Sequence, residues 1–154
     1  MIITFSGHSF ISSKSKIKEV VNEIVLSNIS NQESVICYLG GYGDFDEICA
    51  TACREIKKEH PKLQLIYVTP YLNLSSQTKI KELINSGLYD GSIYPPIEKV
   101  PLRFAISERN KWMIKSSDLI IAYVNHSYGG AYKALSVARR LNKKTINIYE
   151  CLTQ

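Results

Sequence analysis

Apolar positions follow two alternating patterns along the chain. Residues 1–5, 35–39, 63–68 and 119–124 are short, nearly unbroken apolar runs rich in β-branched side chains, which read as strands buried on both faces. Between them lie longer segments in which apolar residues return every three or four positions, the spacing of one helical face. Over 15–26 these are Ile17, Val20, Val21, Ile24 and Val25. A second helix is predicted over 46–59, ending before Pro61 because the residue preceding a proline avoids helical geometry. A third is predicted over 75–86, with Ser75 or Ser76 as N-cap and Gly87 as its stop. Helices over 102–116 and 130–141, and short strands at 92–94 and 145–149, complete the alternation.

Strand following helix, with continuous rather than alternating strands, specifies the α/β class. The expected architecture is a three-layer Rossmann-like domain, with a mainly parallel sheet covered by helices on both faces. No internal repeat, low-complexity tract or linker interrupts the pattern, so residues 1–154 are expected to form a single domain. Right-handed crossovers then gather the loops that follow the strands along one edge of the sheet. Those loops are Gly7-His8, residues 40–46, Pro70-Tyr71 and residues 125–130.

Composition adjusts this picture only slightly. Across 154 residues, 45% are hydrophobic and 21% charged, ordinary values for a globular protein. No apolar run is long enough for a membrane span, and the start, MIITFSGHS, lacks the basic flank and long apolar stretch of a signal peptide. A cytoplasmic protein with no membrane partner is expected. Cys37, Cys49, Cys53 and Cys151 do not fall at zinc-ligand spacing and are read as reduced and mostly packed. The three histidines make no metal constellation either, so neither metal nor cofactor is expected. The net charge of +5 suits an anionic ligand. The lysines are scattered rather than gathered in one stripe, so nucleic acid is not expected as a partner.

Two of the loops carry glycine clusters. Gly40, Gly41 and Gly43 stand between a buried strand and a helix, followed by Asp44 and Asp46. The spacing is not that of the dinucleotide fingerprint, but glycines let a ligand approach the main chain closely. Either aspartate is a candidate helix cap or a partner for a ribose hydroxyl. The other loop, Asn125, His126, Ser127, Tyr128, Gly129 and Gly130, offers amide, imidazole, hydroxyl and main-chain donors with no acidic residue among them. A strand running into Gly-Gly and a helix brings unsatisfied N–H groups and the positive end of the helix dipole up to an anion. The plain alternative is a tight turn. Gly7 and His8 follow the first strand, where a ligand contact and a purely local hydrogen bond are both open to the histidine. Tyr42, Tyr71 and Tyr128 are candidates to stack on a base. Arg109, beside Asn110 in a helix with an apolar face, is the leading candidate to grip a phosphate in two-point geometry. A surface ion pair with Glu108 or with a neighbouring helix is its alternative. Replacing Arg109 by Ala is expected to remove phosphate binding and leave the fold intact.

Glu108-Arg109-Asn110-Lys111, Met113 and Ser117-Asp118, then a strand and Tyr128-Gly129-Gly130, resemble the LOG phosphoribohydrolases. Those proteins carry ERK, a methionine, SD, a strand and PGGxGTxxE. The 40–46 loop is similar to the glycine loop of the wider SLOG superfamily, which includes the DNA-processing protein DprA and the YpsA group. The chain as a whole resembles the small YpsA-related members. The resemblance implies a nucleotide or nucleotide-derived ligand, sensed or sequestered, and pairing into a homodimer through helices beside the site. In LOG enzymes the arginine of ERK and the glutamate of PGGxGTxxE cleave an N-glycosidic bond of a nucleoside monophosphate. The arginine falls on Arg109. After Gly129-Gly130 this chain continues Ala131-Tyr132-Lys133-Ala134, with no carboxylate. Catalysis of that kind requires a substitute, for which Asp44, Asp46 and Glu108 are the candidates. Single-stranded nucleic-acid binding, as in DprA, is the third reading the resemblance implies.

Overall fold

The computed structural model describes residues 1–153. Six strands form one sheet: β1 (Ile2–Gly7), β2 (Val35–Leu39), β3 (Leu63–Val68), β4 (Gly91–Ile93), β5 (Leu119–Tyr123) and β6 (Lys144–Asn147). Their order is β4-β3-β2-β1-β5-β6, and every neighbouring pair is parallel. The helices are α1 (Lys14–Ile29), α2 (Asp44–Glu59), α3 (Leu74–Asn85), α4 (Ala105–Lys115), α5 (Gly129–Arg140) and α6 (Ile148–Leu152). The expected Rossmann-like α/β architecture is therefore present.

Side chains on alternate strand positions enter different layers, because successive strand residues face opposite ways. Ile3 and Phe5 of β1 join Leu119 and Ile121 of β5 in the larger core, under α1, α2, α3 and α6. Ile120, between them, packs instead on Ile114 of α4 and Ala134 and Ala138 of α5. Thr4 points the same way as Ile120, and its buried hydroxyl reaches Ser117 Oγ and the Met113 carbonyl at the end of α4. Asp118 fastens the start of the β1–β5 pair, its carboxylate accepting the Ile2 N–H at 2.8 Å. Cys37, Cys49 and Cys53 are buried in the larger core, Cys151 is exposed, and all four are free thiols.

Several boundaries differ from those the sequence predicts. The third helix is capped by Asn73, whose Oδ1 accepts the Ser76 N–H at 2.9 Å, and not by Ser75 or Ser76. The segment predicted as one helix over 102–116 is a 3-10 turn, Leu102–Phe104, followed by α4. The last strand does not continue to residue 149. Asn147 is buried and uses its side-chain amide to bond both the N–H and the carbonyl of Val124, each at 3.0 Å. Those bonds stand in for the next rung of the ladder, and the main chain turns away into α6.

The chain winds outward from β1 through β2, β3 and β4, then returns to the other side of β1 as β5. Helices following β1 and β5 consequently lie on opposite faces, and their leading loops part above the carboxyl ends of the two strands. A crevice opens at such a reversal of strand order.

Candidate functional site

That crevice is a cleft of about 670 Å³. Its walls come from the loop after β1 (Ser6–Phe10), the loop after β2 (Gly40, Tyr42, Asp46), α4 (Ile106, Arg109, Asn110, Met113) and the loop after β5 (Asn125 through Ala131 in part). Of the residues singled out in the sequence, Gly7, His8, Gly40, Asp46, Arg109, Asn110, Asn125, His126, Gly129 and Gly130 meet there. Gly41, Gly43, Asp44, Ser127 and Glu108 do not line it. Phe10, Tyr42, Ile106 and Tyr128 do, and all four are exposed. Among them, Tyr42 and Tyr128 are stacking candidates that the sequence offers, whereas Tyr71, the third, does not line the cleft. Phe10 carried no such signal.

The two aspartates of the first glycine loop diverge. Asp44 turns away from the cleft, accepting the Ile11 N–H at 2.9 Å and facing Lys14 at 3.4 Å. The Ile11 hydrogen bond holds its carboxyl below the usual carboxylate range. Asp44 neither caps α2 with its side chain nor reaches the cleft. Asp46, the third residue of the helix, reaches back past the N-cap Gly43 to accept the Tyr42 N–H at 3.0 Å. Burial outweighs that bond and the nearby Arg109 charge, raising its pKa to about 6. A carboxyl poised near neutrality in a cleft is suited to donate or accept a proton.

Glycines of the first loops are occupied by the protein itself. A Cβ on Gly40 would lie 2.9 Å from the Arg109 guanidinium carbon, and one on Gly41, whose φ is +68°, would meet the Tyr67 ring. Gly7 presses in the same way on the Phe45 ring. Main chain here is approached closely by side chains of this fold rather than by open space.

Arg109 is only 4% exposed. Its Nη1 donates to the carbonyls of Val68 at 2.8 Å and Gly40 at 3.2 Å, and its Nε donates to Asn110 Oδ1 at 2.9 Å. The guanidinium thus ties the ends of β2 and β3 to α4, and makes no ion pair with Glu108, which pairs with Lys111 instead. Its Nη2 has no hydrogen-bond partner among the described residues, and the group borders the cleft. Removing the Arg109 side chain would strand the two carbonyls that it satisfies, so Arg109→Ala is expected to lower stability as well as to remove phosphate binding.

The loop after β5 is built differently. Tyr128 holds the N-cap position of α5 in an extended conformation and supplies no capping hydrogen bond. The first N–H groups of the helix are left without side-chain partners at a site of partial positive charge. Gly130 has no atom within 4 Å of where a Cβ would stand, and has no positive φ. His8 Nε2 accepts the Asn125 N–H at 3.0 Å and fastens this loop to β1. The His8 and His126 rings stack at 3.7 Å and 11°, and His126 and Tyr128 at 3.8 Å and 21°. Burial, then the neighbouring His126, lower the His8 pKa, consistent with a neutral ring whose Nε2 is the acceptor. Asp46 and Arg109 are the remaining ionisable side chains of the cleft apart from Tyr42 and Tyr128. Among the described residues no group of three or more His, Cys, Asp or Glu side chains stands where it could hold a metal ion. Nor is any helix long and apolar enough to cross a membrane.

No family model matches the chain, and no curated protein matches its sequence. Solved structures match it in fold. DNA processing protein A from Helicobacter pylori, described for its single-stranded DNA binding mode, aligns with a TM-score of 0.63 at 16% identity, over 94% of this chain. DNA processing protein A from Streptococcus pneumoniae aligns with a TM-score of 0.63 at 12% identity, over 93% of it. The alignments span 63% and 48% of those two chains. At these identities the likeness is one of fold, and it is the fold that the SLOG resemblance implies.

Proposed function

We propose that the chain binds a nucleotide or nucleotide-derived ligand, for sensing or sequestration, in the cleft between the loops after β1 and β5. The observation that carries this reading is the uncapped start of α5 beside the unobstructed Gly130, both bordering the cleft. A phosphate there accepts from main-chain N–H groups and gains from the helix dipole. Arg109 Nη2 and Asn110 supply further donors on the facing wall. The same reading takes the chain as one domain over 1–154, close to the YpsA-related SLOG proteins and cytoplasmic. It pairs as a homodimer through the α4–α5 side, where Phe104 and Ile106 are exposed. Thermal unfolding with AMP, ADP, ATP, NAD and inorganic phosphate tests the reading. A ligand at 100 times its dissociation constant adds about 2.7 kcal/mol, and a panel with no shift at millimolar concentration refutes it.

Asp46 favours a second reading, cleavage of an N-glycosidic bond. Of the three substitute carboxylates it is the one bordering the cleft, and its raised pKa suits proton transfer. Free base released from a nucleoside monophosphate or from NAD, and lost in Asp46→Asn, would establish it. The Helicobacter protein's single-stranded DNA binding favours a third. Affinity for an oligonucleotide that falls steeply with salt would select that reading over a small ligand.

A further inference from the structure

Tyr128 occupies a position that most helices give to a small polar residue. N-caps are mainly Ser, Thr, Asp or Asn because their side chains bond the first free N–H groups; Tyr128 makes no such bond. Its ring instead closes a column of three, His8, His126 and Tyr128, with successive centroids 3.7 Å and 3.8 Å apart. His126 covers one face of the Tyr128 ring, yet the residue remains 70% exposed. The opposite face is therefore open. Phe10 and Tyr42, the other exposed aromatic residues of the cleft, are not stacked on any ring among the described residues. The column is fixed at its base, where His8 holds the Asn125 N–H.

From this geometry we infer that the outer face of Tyr128 is the seat for a planar aromatic ring of the ligand, which becomes the fourth layer of the column. The inference rests on the nucleotide reading and assigns the base a place: beside the α5 amides that take the phosphate. A ring already stacked on His126, which is itself backed by His8, loses little freedom when a base stacks on it. Stacking is tolerant of base identity, because every base has a π-face. The site accordingly selects for the presence of an aromatic ring more than for one particular base.

Calorimetric titration of AMP and of ribose 5-phosphate, against the wild type, Tyr128→Ala and Tyr128→Phe, tests this. AMP is expected to bind wild type about tenfold more tightly than ribose 5-phosphate. Tyr128→Ala should remove that margin and leave ribose 5-phosphate affinity within about twofold, while Tyr128→Phe keeps it. Equal binding of the two ligands by wild type, or AMP affinity unchanged in Tyr128→Ala, overturns the platform while the phosphate reading stands. So does an equal loss of both ligands in Tyr128→Ala, which would make the ring a support for the loop. Failure of wild type to bind either ligand overturns the platform for a nucleoside monophosphate, and failure across ADP, ATP and NAD as well overturns the nucleotide reading with it.

Discussion

The loops after β2 and β5 share a plan, strand, glycines, helix, and differ in what fills the space the glycines leave. After β2, Gly40 gives its space to the Arg109 guanidinium and Gly41 to the Tyr67 ring. Asp46 takes up the Tyr42 N–H, and Arg109 the Gly40 carbonyl. After β5, Gly130 faces nothing within 4 Å, and the helix start is uncapped. A glycine between strand and helix therefore has two meanings. One is room for the fold's own side chains, and the other is room that the fold leaves open. The first loop is a buttress, and the second is the candidate cradle.

Breaking the buttress should cost most. Arg109→Ala leaves the Val68 and Gly40 carbonyls without their charged donor and is expected to lower stability by about 4 kcal/mol. In a chain of this size that lowers Tm by roughly 10 °C, read directly by calorimetry. An unchanged Tm would show that the clamp contributes little. Gly41→Ala forces a Cβ into the Tyr67 ring at a positive φ and should cost about 2–3 kcal/mol. Gly130→Ala in the other loop should stay within about 0.5 kcal/mol of wild type, since the new methyl meets open space in a helix. Denaturant titration of the pair measures the contrast, and similar losses at both positions would erase it.

Acid gives a gentler test. His8 holds the Asn125 N–H only as a neutral ring, and its pKa lies below the ordinary 6.5. A base depressed in the folded state binds fewer protons there than when unfolded. The stability it lends is therefore present above 6.5 and is lost as the pH falls below that value. Asp46 has the opposite sign. Its pKa is raised from 3.8 to about 6, so stability from this group falls as pH rises through that interval. Hydrogen exchange should show the Asn125 amide losing protection as the pH is taken from above 6.5 to well below it. Protection independent of pH would remove His8 as the fastening.

Much of the fold was legible because it is written in local periodicity: continuous apolar runs for β1, β2, β3 and β5, and three-four spacing for the helices. The chain end was not. The five residues of α6 are too few to show a period, and the Asn147 side chain that releases them acts through Val124 on another strand. Both glycine loops could be read as loops with backbone freedom. Which one is filled could not, because Arg109 and Tyr67 arrive from elsewhere in the chain. Arg109 drew attention for a sound reason, a forked cation on an apolar helix, but its partners are carbonyls that only the packed fold brings within reach. Asp44 and Asp46, two residues apart, were indistinguishable by spacing and point to different sides of their loop.

The main-chain amides of Gly129, Gly130 and Ala131, followed by ¹⁵N-resolved NMR during titration with AMP, address the cradle most directly. Progressive, saturable shifts concentrated at those amides, with the Gly40–Gly43 amides moving little, are the expected result. Saturable binding that leaves the α5 start unmoved would contradict the account.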